Sequence, residues 1–112
     1  MATNTAALPP AQPLVLAAQV DYGAGSIVSR AIVQKKTGSL TLFAFDAGQA
    51  LSEHTAPFDA WVQVLDGEAE LVIGGTPITV RAGEAALMPA NVPHAVNAKQ
   101  RFKMLLSMIR GE

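Results

Sequence analysis

"LVIGGTPITV", residues 71–80, sets two apolar runs on either side of a glycine pair. Val, Ile and Thr pack well on a pleated surface, and two adjacent glycines supply the positive φ angles that a tight hairpin turn needs. The stretch therefore reads as two antiparallel strands joined at 74–75. Outward from it the same pattern repeats. "SIVSRAIVQ", "SLTLFAF", "AWVQVL", "EAELVI", "EAALM", "HAVNA" and "FKMLLSMI" are short β-type runs, and "KTG", "DAGQ", "DG", "AG" and "PANVP" punctuate them. Strand plus turn recurs at intervals of roughly 8–12 residues, the signature of an antiparallel sandwich or barrel. "MLLSMIR" also suits a helix, but it is short and reads better as a closing strand.

The 112 residues make one domain, with about two-thirds of the unfolded chain's surface buried. Residues 1–24 stand apart as a mobile tail and N-terminal segment, because "MATNTAALPPAQP" is too small, polar and proline-rich to offset its ordering entropy. The barrel is expected over 25–112. Half of the residues are hydrophobic, 15% are charged and the net charge is −1, so the basic footprint of a nucleic-acid or anionic-membrane binder is missing. A small molecule and a second copy of the chain are the partners expected. There is no cysteine, which excludes disulfides, thiolate zinc sites and a cysteine nucleophile. The N-terminal stretch has neither a basic leader nor an apolar run long enough to span a bilayer, and a cytoplasmic location is expected.

Both histidines lie in the β region, each beside a distinctive loop. His54 follows "DAGQALSE" and His94 closes "RAGEAALMPANVPHAVNA". The second stretch resembles the second motif of the cupin superfamily: Gly83, five residues, Pro89, Asn91 where a glycine is usual, then His94. The first resembles the first cupin motif in Gly48, His54 and Gly67. It departs from that motif at Ala56, the place of a second histidine, and at Ala60, the place of a glutamate. The resemblance runs from about Gly25 to Arg110. It implies an all-β, antiparallel double-stranded β-helix, the jelly-roll barrel. Asn91 suits the left-handed turn that the motif's glycine adopts.

Side chains alternate along a strand, so His54 and Ala56 share one face, with Glu53 and Thr55 on the other. By the same rule Ala60, Val62 and Val64 face in, and Trp61, Gln63 and Leu65 face out. The resemblance brings His94 near His54 in an otherwise apolar interior. Phe43, Phe45, Met88, Met104 and Met108 read as barrel filling. Two imidazoles fall short of the three or four ligands that resident metals use. Asp59 supplies a third only if the chain bulges by one residue before the "AWVQVL" strand. A divalent metal on His54 and His94 is therefore expected to be weak, if it binds at all. The leading expectation is a protein that binds a small molecule through His54 and His94. Two enzyme readings stay open: a metal-dependent cupin enzyme, dioxygenase- or isomerase-like, and metal-free acid–base chemistry resembling the sugar epimerases, with His54 as base. The last has no evident partner acid, since Tyr22, the only tyrosine, lies in the N-terminal segment. A homodimer is expected because the apolar outer surface near Trp61 and the strand beginning near Ser26 would otherwise stay exposed.

Overall fold

The computed structural model describes residues 2–4 and 8–110. Among these residues the chain forms ten strands and one 3-10 turn, with no α-helix. The strands are β1 (Ala2–Asn4), β2 (Ile27–Lys35), β3 (Gly38–Phe45), β4 (Ala50–His54), β5 (Asp59–Asp66), β6 (Glu68–Ile73), β7 (Thr76–Arg81), β8 (Ala85–Met88), β9 (His94–Asn97) and β10 (Phe102–Ile109). They build a six-stranded sheet in the order β1-β2-β3-β10-β5-β8, which faces a four-stranded sheet in the order β4-β9-β6-β7. Pairing is antiparallel except between β1 and β2. This is the jelly-roll barrel expected from the sequence. The quoted hairpin is β6–β7, with Ile73 opposite Thr76 and Leu71 opposite Ile78. Gly74 and Gly75 have φ of 58° and 81°, as a primed turn requires. Asn91 takes the left-handed region at φ 65°.

The core lies between the sheets. Strand β5 alternates as read, with Ala60, Val62 and Val64 buried while Trp61 and Gln63 face out. "FKMLLSMI" is a strand, and it sits centrally between β3 and β5. Its first residue, Phe102, stacks on Phe45 with centroids 4.5 Å apart and planes at 13°. Leu71, Val62 and Val96 fill the space beside them. Each such aliphatic side chain contributes roughly 1.5–3 kcal/mol by leaving water.

A second, smaller cluster lies on the outer face of the large sheet. Leu42 and Ala44 of β3 are fully buried there, although their neighbours Phe43 and Phe45 fill the opposite, inner face. They are covered by residues 16–22, within the stretch read as mobile tail and N-terminal segment. Val20 is buried against them, with Leu16 and Tyr22 packed alongside. Polar contacts hold this segment down. The Tyr22 hydroxyl donates to Asp66 at 2.6 Å, and Arg101 and Lys103 lie over its ring at 4.5 and 5.0 Å. Lys103 donates to the Ala17 carbonyl and Arg30 to that of Gln19. Burial first, then the hydrogen bond to Asp66, drives the Tyr22 pKa well above the ordinary tyrosine value. Elsewhere on the outer face Trp61 and Leu87, cross-strand neighbours, remain 43% and 50% exposed. No helix among the described residues is long and apolar enough to cross a membrane.

Candidate ligand-binding site

His54 ends β4 and His94 begins β9, and they are direct cross-strand partners. The pairing depends on a β-bulge. Leu51 pairs with Val96 and His54 with His94, so β4 spends one more residue than β9 between the two pairs. Strict alternation would send Leu51 and His54 to opposite faces; the bulge lets both line the same cavity. That cavity measures about 150 Å³ and is partly open to solvent. Ala56, Phe58, Ala60, Met88, Met104 and Met108 contribute to its otherwise apolar wall.

The two rings meet edge to face, with centroids 4.4 Å apart and planes at 73°. His54 is exposed at the mouth and His94 is 3% exposed. Both use the same local device. The Nδ1 of His54 lies 3.0 Å from the Ser52 carbonyl oxygen, and that of His94 lies 3.1 Å from the Val92 carbonyl oxygen. A carbonyl can only accept, so each Nδ1 carries the proton and donates it. The tautomers follow: in the neutral pair both Nε2 atoms hold lone pairs. These two nitrogens are 3.1 Å apart. That contact is a hydrogen bond only when one ring is an imidazolium. Burial, partly opposed by the Val92 hydrogen bond and helped by the neighbouring His54, holds the His94 pKa below the ordinary imidazole value of 6.5. With both rings neutral, the pair presents two adjacent acceptors and no donor.

The depressed His94 pKa makes a stability prediction. The unfolded chain takes up a proton near 6.5, whereas the folded chain resists it until lower pH. Between those values the unfolded state binds more protons, so stability falls as pH drops below about 6.5 and levels off once folded His94 is protonated. Thermal melts from pH 7.5 to 5 should show this loss, and His94→Ala should flatten it. An unchanged slope in the variant would place the acid sensitivity elsewhere.

Asp59 is not brought to the pair. It faces out on β5, opposite Ile109, and its Oδ1 accepts from the Ala90 amide at 2.8 Å. The bulge that would turn it inward is absent, since β5 stays in register with β8 and β10 at this end. Tyr22 is equally remote, packed on the outer face of the large sheet.

A sequence model of the cupin domain matches residues 41–108, well over half of the chain. The chain belongs to the cupin family. Solved structures agree. A conserved protein of unknown function from Streptococcus pyogenes is 35% identical, with a TM-score of 0.90 over 94% of this cupin and 92% of that chain. A cupin superfamily protein from Desulfitobacterium hafniense is 30% identical, with a TM-score of 0.87 over 93% and 95% of the two chains. A cupin 2 conserved barrel domain protein from Leptotrichia buccalis is 45% identical, with a TM-score of 0.81, over 83% of this chain and 45% of its own. No protein of curated function matches significantly.

Measured against the cupin motifs, this barrel lacks two donors. Ala56 and Ala60 line the cavity with methyl groups where the motif has histidine and glutamate. Among the described residues no group of three His, Cys, Asp or Glu could hold a metal. The Nε2 separation does match two neighbouring ligands on one ion with bonds of about 2.0–2.1 Å. Yet two neutral nitrogens in an apolar wall do not fit the three- or four-ligand divalent centre that the motif builds.

Proposed function

We propose that this cupin binds a small, mostly apolar molecule in the barrel interior, held at its polar end by a hydrogen-bond donor on the ligand. One observation carries the proposal: both Nδ1–H groups are spent on backbone carbonyls, so both Nε2 atoms offer only lone pairs to the cavity. Such a site favours a phenol or alcohol, which donates. It disfavours carboxylates and simple carbonyls, which bring further acceptors to acceptors that are already crowded. Size narrows the class again. An apolar cavity of about 150 Å³ holds a molecule of roughly one benzene ring.

The test is calorimetry with phenol and its methyl ether, anisole, on chelator-treated protein. Phenol should bind measurably better than anisole, and His94→Ala and His54→Ala should each weaken phenol binding by about 1–3 kcal/mol while leaving anisole unchanged. Benzoate binding more tightly than phenol at pH 7.5 would overturn the acceptor-only reading. No residue is assigned a catalytic role.

A further inference from the structure

The wall around Ala60 is rich in methionine. Ala60 sits on the inner face of β5, with Met88 of β8 as its partner on one side and Met108 of β10 on the other. Directly paired residues have Cβ atoms about 4.5–5.5 Å apart, well within reach of a methionine side chain. Both methionines line the cavity that His54 and His94 enter, and Met104 lines it too. Around the missing hard oxygen donor, then, stand thioether side chains that line the same cavity as the two imidazoles.

We propose that the histidine–methionine end of this cavity binds a soft monovalent cation, Cu(I) or its analogue Ag(I), through His54, His94 and the sulfurs of Met88 and Met108. The donor chemistry selects the ion. Thioether and imidazole donors favour Cu(I), whereas Mg, Ca and Mn need carboxylate, carbonyl and water oxygens that this wall does not offer. Charge selects it as well. Moving an ion into an apolar surround costs in proportion to the square of its charge, so a monovalent cation without a compensating carboxylate is far less penalised than a divalent one. Each Nδ1 is already fixed by a carbonyl and the two Nε2 atoms stand 3.1 Å apart, so the imidazole donors are pre-oriented as a pair. The proposal goes beyond the binding of a small molecule and is tested separately from it, because phenol is titrated into chelator-treated protein.

Cu(I), kept reduced with ascorbate under argon, is titrated into the full chain against bicinchoninate as competitor. One Cu(I) per chain is expected. Met88→Leu with Met108→Leu should lower Cu(I) affinity at least about tenfold while leaving weak Ni(II) binding to the histidines unchanged. His94→Ala should weaken both. X-ray absorption at the copper edge of the wild-type protein should show sulfur beside nitrogen around the ion. Unchanged Cu(I) affinity in the methionine variant, or a copper environment of nitrogen and oxygen alone, overturns the proposal. If the double variant fails to melt cooperatively, Met108→Leu alone and the wild-type absorption spectrum decide.

Discussion

The double variant Ala56→His, Ala60→Glu is expected to bind Ni(II) or Mn(II) at least about a hundredfold more tightly than the parent chain. Both alanines line the cavity, and His54 and His94 already stand at the spacing of neighbouring ligands. A third nitrogen and a carboxylate would complete a four-ligand set on a scaffold that has kept its orientation. The carboxylate also supplies the negative charge that a divalent ion needs in an apolar surround. Without metal, the new Glu would be a buried, unpaired acid, since Ala60 is only 3% exposed. The metal-free variant should therefore melt below the parent, and Ni(II) should raise its melting point above the parent's. Calorimetry with a melt on the same samples reads both effects. Affinity within about threefold of the parent would mean that the two alanines do not limit divalent-metal affinity at this site.

Phe102→Ala is expected to cost about 3–5 kcal/mol, much of the 5–15 kcal/mol that holds a domain of this size together. Phe102 is fully buried and stacked on the equally buried Phe45, whose ring in turn lies 6.0 Å from that of Phe43. Its backbone is also tightly constrained. Gly67, at φ 70°, passes so close that a Cβ there would meet the Arg101 carbonyl oxygen and the Phe102 side chain. With Gly67 and Arg101 pinned in this way, the strand end has little freedom to collapse into the void that alanine leaves, which places the cost towards the upper end of that range. Urea denaturation checks the number, and a loss under about 1 kcal/mol would contradict the packing account. Phe102 is not among the residues lining the cavity that His54 and His94 enter. Any molecules that remain folded should keep the histidine pair and its ring contacts.

Much of the barrel was legible because its signals are local. The glycine pair at 74–75 needs positive φ wherever it sits, and the alternation of β5 sorts Ala60, Val62 and Val64 from Trp61 and Gln63 without knowledge of any other strand. His54 and His94 stood out through the resemblance of the stretches around Gly48, Gly83 and Pro89 to the two cupin motifs, and the structure pairs them across β4 and β9. Asp59 shows where local reading stops. A bulge does re-aim a side chain into the cavity, but it lies in β4 between Leu51 and His54 rather than before β5. A bulge is set by how two strands register against each other, and single-strand alternation carries no trace of it.

By itself, then, the amino-acid sequence determined the all-β class, the hairpin at 71–80 and the inward faces, all features that depend on periods of two residues or on one residue's backbone freedom. Three matters were decided only by the tertiary structure. The Ser52 and Val92 carbonyls set the tautomers of the two rings and turned the pair into acceptors. Pairing across β5, β8 and β10 put Met88 and Met108 on either side of Ala60. The outer face of β3, with Leu42 and Ala44, gave residues 16–22 an apolar surface to cover, although the proline-rich composition before them pointed to disorder. Each depends on which distant strand lies alongside, and that choice minimises exposed apolar area over the whole chain, a quantity no short stretch of sequence contains.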